Sequence, residues 1–371
     1  MEATTEVALA VLRPKQADTI QCKIYYNLLR VTVGGIITLL GLIGNVITMV
    51  IMKKEKKKSC TVLALMYLAA SDFMVVLVYG AINWSSPFAS FTNNKKLPLQ
   101  VKMYSAAYFV PLGQIFNFIS VSITVIVIWQ RYISVCMPLK MKKYVSQRKV
   151  HIQVLSMCVF AIFFHIPMMF TFEIHPKALI RRAFAEQASF SIFYEIALID
   201  VLSYFIPITA LVFMAVALIR TLKKLQFHNK DAQTRSEAAK NEMTMSLVGI
   251  VIVFIVCQSF APVRRVLMWL YNPYSEAQMC GQRLFYFAPF EILSVLFNSS
   301  ANFFIFVLCA RGFRKKVFNW VCKNRGNQVA PSIDAVGSGT NSYNLDGGLK
   351  AGCRDMDPAA IYHLSAGMLL S

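Results

Sequence analysis

Seven stretches of this chain are almost free of charge and long enough to form single helices across a bilayer. They cover roughly residues 31–52, 60–84, 103–135, 149–171, 192–219, 243–271 and 284–309. A spanning helix needs about 20 apolar residues. Prolines inside the stretches, Pro207 and Pro262 among them, are tolerated in a membrane helix when neighbours satisfy the freed backbone groups. No unit of 20–50 residues recurs, so a solenoid is not expected. The pattern predicts an all-α membrane protein: a short segment over 1–30, then one seven-helix transmembrane bundle over 31–310. The tail from 323 to 371 is polar and rich in Gly and Ser, and reads as disordered.

Composition agrees with a membrane chain. Of 371 residues, 57% are hydrophobic and only 15% charged, a balance that soluble domains rarely show. The formal net charge of +20 is unevenly placed: 23 of the 38 basic residues fall on one side of the predicted bundle. They lie between spans one and two (KKEKKK), three and four, and five and six, and after span seven. Basic loops stay in the cytoplasm, so the N-terminus is expected outside. The same charge would attract anionic lipid of the inner leaflet. Nucleic-acid binding is not expected, because the charge is divided among short loops. No cleavable leader is expected in the first 30 residues, since VALAVL is short and lacks a basic flank. The first span is then the expected insertion signal. Ser and Thr in the tail are candidates for phosphorylation, with a passive tail the equal alternative.

Catalytic chemistry finds no foothold. His151, His165, His175 and His228 are scattered, without His-Glu-x-x-His or Cys-x-x-Cys spacing. No Gly-rich phosphate loop and no Gly-x-Ser-x-Gly occurs, so no catalytic residue and no cofactor is expected. A transporter or channel is the competing class, although no paired halves with matching broken helices are visible.

One short stretch points further. WQRYISVCMPLKMKKY, residues 129–144, ends span three and turns abruptly basic at the membrane edge. Arg131 followed by Tyr132, with Pro138 in the next loop, resembles the rhodopsin-like (class A) G-protein-coupled receptors. The resemblance extends over residues 31–322. It includes Asn45 in GLIGNV, Asp72 in LAASD, Pro167, Pro207, Phe254 and Cys257 in span six, and NSSANFFIF in span seven. ARGFRKKVFNWVC resembles the family's amphipathic eighth helix, over 311–322.

The resemblance implies a plasma-membrane, multi-pass receptor that couples an extracellular ligand to a heterotrimeric G protein through Arg131, Tyr132 and Pro138. It implies an allosteric sodium ion held by Asp72, Ser120, Asn298, Ser299 and Asn302; the alternative is a protonated Asp72 hydrogen-bonded to Asn45 and Asn302. The motif variants are similar to those of invertebrate neuropeptide receptors of the FMRFamide-like group, which implies an extracellular peptide ligand. Glu195, Asp200 and Glu291 could pair with a basic peptide, and Arg264 and Arg265 with an acidic group; each could equally be a locally paired or snorkelling residue. Gly113 and Leu296 stand where amine receptors keep an aspartate and opsins a lysine, which excludes both of those ligands.

Departures from the family pattern are concentrated at its switch positions. Gln130 replaces the acid before Arg131, and Lys240 stands where some members place an acid at the foot of span six. Gln258 replaces a tryptophan, Phe260 a proline, Phe303 and Phe306 the Pro and Tyr of span seven, and Ala215 a tyrosine of span five. Raised basal activity is the expected consequence of the lost restraints. The family's usual outer disulfide is impossible, because its span-three position is Ala106 and residues 172–191 contain no cysteine. Only Cys22 and Cys280 fall on the oxidising side, and a bridge between them is expected, similar to a link in some peptide receptors. Cys322, after the basic and apolar run FRKKVFNW, is a palmitoylation candidate.

Overall fold

The computed structural model describes residues 20–55, 59–90, 92, 96–175, 178–228, 235–270 and 283–328. Among them are seven helices long and apolar enough to cross a membrane: Ile24–Lys54, Cys60–Ala89, Leu97–Cys136, Gln147–Met169, Phe190–Lys224, Asn241–Leu267 and Phe285–Cys309. These are spans one to seven. Span three begins six residues before the apolar stretch that predicted it, because LPLQVK is helical despite its lysine.

The spans close into a ring. Span one packs on two and seven, six on five and seven, and span three contacts two, four and five from the interior. Burial is inverted relative to a soluble protein. Leu155 and Phe213 on the outer surface are 66% and 65% exposed, while Asp72, Gln258 and Ser299 are 0% exposed inside. Helices in lipid gain nothing by hiding leucines from one another. Small residues and interhelical polar contacts hold them instead. Span one shows the first device. A Cβ at Gly44 would stand 2.9 Å from Phe303 Cβ, so only glycine there lets spans one and seven approach so closely.

Breaks in the helices have local causes. Span four starts at Ser146, whose hydroxyl accepts from Lys149 N as an N-cap should. Span six is interrupted at Ser259, between segments ending at Gln258 and starting at Phe260. Pro262 has no N–H to offer the Gln258 carbonyl four residues back, which explains the break. Span five opens with wide π-turns over Phe190–Leu198 and Val201–Phe205, just before Pro207.

One element was not expected. Between spans four and five, Phe172–His175 (β1) and Ala178–Arg181 (β2) pair as an antiparallel hairpin, with Phe172 opposite Arg181. After the bundle, a separate helix runs over Arg311–Gln328, past the end expected at 322. The Cys322 side chain, Cys280 and residues 329–371 lie outside what the structure describes.

Candidate functional site

Polar groups lie at successive depths of the bundle interior, from the end bearing the N-terminal segment to the basic end bearing Arg131.

At the N-terminal end, four of the five expected ligand residues pair with each other. Arg264 meets Glu291 across spans six and seven, and Arg265 meets Asp200 across six and five. The second pair is the deeper: side-chain exposures are 19% and 5%, against 31% for Arg264. The Arg265 guanidinium also sits 5.5 Å from the centroid of the Tyr204 ring, a cation–π contact. Two arginines and two carboxylates make this cluster neutral overall. Glu195 belongs elsewhere; it pairs at 2.5 Å with Arg181 of β2. Gly113 faces Tyr79 so closely that an added Cβ would stand 2.9 Å from the ring. That position is therefore filled by a neighbour's tyrosine, leaving no room for an aspartate.

In the middle lies Asp72. Ser120 donates to its Oδ1 at 2.5 Å and Asn302 to its Oδ2 at 2.7 Å, bringing spans two, three and seven together. Asn45 donates to the Ser299 carbonyl at 3.0 Å rather than to Asp72. The Ser299 hydroxyl also faces the carboxylate, although the contact falls outside strict hydrogen-bond geometry. Asn298 is buried on the same helix but makes no hydrogen bond to the carboxylate among the described residues. Carboxylate, hydroxyl and amide oxygens are the donors a hard cation takes. The Ser299 hydroxyl, beside the carboxylate, suits that role as well.

One turn toward the N-terminal end is a contact that sequence reasoning missed. Gln258 Nε2 donates to Asn117 Oδ1 at 3.1 Å, joining spans six and three at the break in span six. Gln258 is 0% and Asn117 2% exposed. The only sequence signal was an amide at each of two positions in apolar stretches.

At the basic end, Arg131 reaches from span three to span six, where its terminal nitrogen contacts Met243 Sδ at 2.6 Å. Its Nε is buried without a partner, as are both polar atoms of the neighbouring Gln130 amide. Among the described residues no acid restrains Arg131. The foot of span six nevertheless carries one: Glu242, two residues beyond Lys240, pairs with Arg311 at 3.4 Å and accepts from its backbone N–H at 3.1 Å. Tyr132 faces away, packing on Trp129 and Phe213 with centroids 6.0 and 6.1 Å apart. Pro138 is exposed and opens a single helical turn, Pro138–Lys140.

Near the start of span seven, Cys22 is disulfide-bonded and its Sγ lies 4.0 Å from the Tyr286 hydroxyl. Tyr25 donates to the Tyr286 carbonyl at 2.8 Å, so the helix Ile20–Tyr26 is seated on span seven. Cysteines 60, 136, 158, 257 and 309 are free.

An FMRFamide receptor of Drosophila melanogaster is 22% identical to the chain over 340 residues, covering 84% of this chain and 58% of the relative. The chain thus spans under two thirds of that relative's length. The 7-transmembrane receptor (rhodopsin family) profile matches residues 44–306, from beside Asn45 in span one to Phe306 in span seven. With seven membrane-length helices in a closed ring and Asp72, Ser120 and Asn302 joined at its centre, this chain belongs to the rhodopsin family of seven-transmembrane receptors and is a multi-pass membrane protein.

Proposed function

We propose that the chain is a neuropeptide receptor of the plasma membrane, with its N-terminus outside, that couples to a heterotrimeric G protein. The observation that carries the reading is the pair of polar assemblies at opposite ends of one bundle. One end holds the neutral cluster of Asp200, Arg264, Arg265 and Glu291, and the other holds Arg131, which has no acidic partner among the described residues. Arg264–Glu291 is the pair a peptide would exchange with, because Arg264 is its more accessible member and a charged side chain entering there can take over one partner. Asp200–Arg265, buried against Tyr204, would stay as the floor. Similarity to a receptor named for FMRFamide supports a peptide ligand.

Three further assignments belong to the same reading. Asp72, Ser120, Ser299 and Asn302, with Asn298 beside them, hold a sodium ion that stabilises the resting bundle. Cys22 is bridged to Cys280, holding the N-terminal segment over the ligand mouth. Cys322 carries a palmitoyl chain.

The test is nucleotide exchange on a G protein in membranes bearing the full chain, challenged with FMRFamide and a library of amidated peptides. Ligand-dependent exchange that Arg131→Ala abolishes at unchanged surface expression is the expected result. Solute flux without exchange would replace this reading with a transporter or channel. Labelling of an N-terminal tag on intact cells checks the orientation.

A further inference from the structure

The hairpin at the N-terminal end of the bundle contains no cysteine, yet it is held in one place. Side chains in paired strands alternate between faces, and residues opposite one another share a face. The register therefore puts Phe172, Ile174, Leu179 and Arg181 on one side. Three of these are apolar, and they pack on Met103, Ala106 and Ala107 of span three. This contact supplies burial, but it is small and non-directional. The fourth residue differs. Arg181 Nε donates to the Ala185 carbonyl at 2.9 Å, in the short turn Ala183–Glu186, and a terminal nitrogen reaches span five, donating to Ser191 Oγ at 2.9 Å and Glu195 Oε2 at 2.5 Å. Ser191 closes the set by donating to the Ala185 carbonyl at 3.3 Å.

The guanidinium suits this role for a physical reason. It is planar and always charged, and its fixed fork of N–H groups can satisfy a carbonyl, a hydroxyl and a carboxylate together. Side-chain exposures of 16% for Arg181 and 20% for Glu195 remove the pair from most solvent screening, which separates it from an ordinary surface ion pair. Arg181 is also the last residue of β2, and the next backbone N–H, of Arg182, donates to the Thr171 carbonyl at 2.9 Å. The link to span five thus acts on the open end of the hairpin, where the chain enters and leaves it.

We propose that Arg181 is a positioning residue that fastens this hairpin to span five through Glu195, so that an ion pair instead of a covalent bond fixes the second connecting loop at this end. Glu195 is then committed to Arg181 and unavailable to a ligand. This inference concerns the loop's position, so it stands whatever ligand the receptor takes.

Amide hydrogen exchange of the purified full-length chain in nanodiscs tests it, read at the ladder amides of 172–181. Arg181→Gln and the isosteric Glu195→Gln should each speed exchange there by about 10-fold or more, the effect of losing a hydrogen bond to a charged group. Exchange within span three and span seven should stay unchanged and serves as the control for folding. Arg181→Lys keeps the charge without the fork and should fall between. The reversed pair, Arg181→Glu with Glu195→Arg, should recover most of the protection, a rescue that a merely space-filling role would not give. Treating the unmodified chain with a phosphine reductant should leave the hairpin as slow as before. The proposal fails if Glu195→Gln leaves the hairpin within about 2-fold of the unmodified chain, if the reversed pair is as fast as either single variant, or if reductant alone releases the hairpin.

Discussion

The Gln258–Asn117 hydrogen bond invites a double-mutant cycle, because the two amides are buried in the bundle and placed where span six breaks. Asn117→Leu removes the acceptor. It leaves both polar atoms of Gln258 without partners, since Oε1 already has none. A buried polar group stranded in this way costs about 1–3 kcal/mol. Gln258→Leu removes one orphan atom while creating another at Asn117 Oδ1, so it should cost less than Asn117→Leu. The double variant leaves no stranded amide and should be less damaging than the sum of the two. Interhelical hydrogen bonds in membranes average about 0.6 kcal/mol and reach about 1.7 kcal/mol, which sets the expected coupling. Equilibrium unfolding of the detergent-solubilised chain, titrated with a denaturing detergent, measures all four species. Additivity within about 0.3–0.5 kcal/mol, the scatter of independent sites, would refute the bridge; equal costs for the two single variants would refute the assignment of orphan atoms.

Other outcomes follow from individual groups. Asp72→Asn removes the one formal charge in the central cluster, so sodium should no longer alter thermal stability or agonist affinity; a wild-type chain indifferent to sodium from zero to physiological concentration would make the cluster purely structural. Gln130→Leu deletes a buried amide with two partnerless atoms and should raise the melting temperature of the solubilised chain, by an amount corresponding to about 1–3 kcal/mol; a lower melting temperature would mean the amide has a partner. Basal nucleotide exchange should exceed that of untransfected membranes, because no carboxylate faces Arg131 among the described residues; basal exchange at the background level would count against it. Acyl-exchange labelling should fall in Cys322→Ala, and equal labelling would remove the palmitoylation assignment.

The hairpin shows how a local signal can be missed inside a long-range pattern. FEIHPKALIR alternates apolar and polar residues over its first strand around a central Pro-Lys, which is a strand signature. Four-residue strands are overshadowed by flanking runs of twenty apolar residues. Its significance also depended on packing, since what Arg181 meets in span five cannot be read from β2 alone.

What the sequence determined by itself was the architecture and the inventory. Hydropathy over twenty residues is a local property, and in lipid every backbone polar group must be satisfied within its own helix. Seven helices and their order along the chain were therefore legible, whereas Asp72, Ser120 and Asn302 could be named together only through the resemblance to a receptor family. The tertiary structure alone decided who partners whom. Lipid is as apolar as leucine, so a spanning helix carries little hydrophobic sidedness to reveal its rotation. The partners lie far apart in sequence, 141 residues for Gln258 and Asn117 and 230 for Asn302 and Asp72. Arg264 could be assigned to Glu291, Arg265 to Asp200, Glu195 to Arg181 and Arg131 to Met243 only once the helices had been rotated and closed into a ring. Interhelical packing, and not any one segment's composition, sets those rotations.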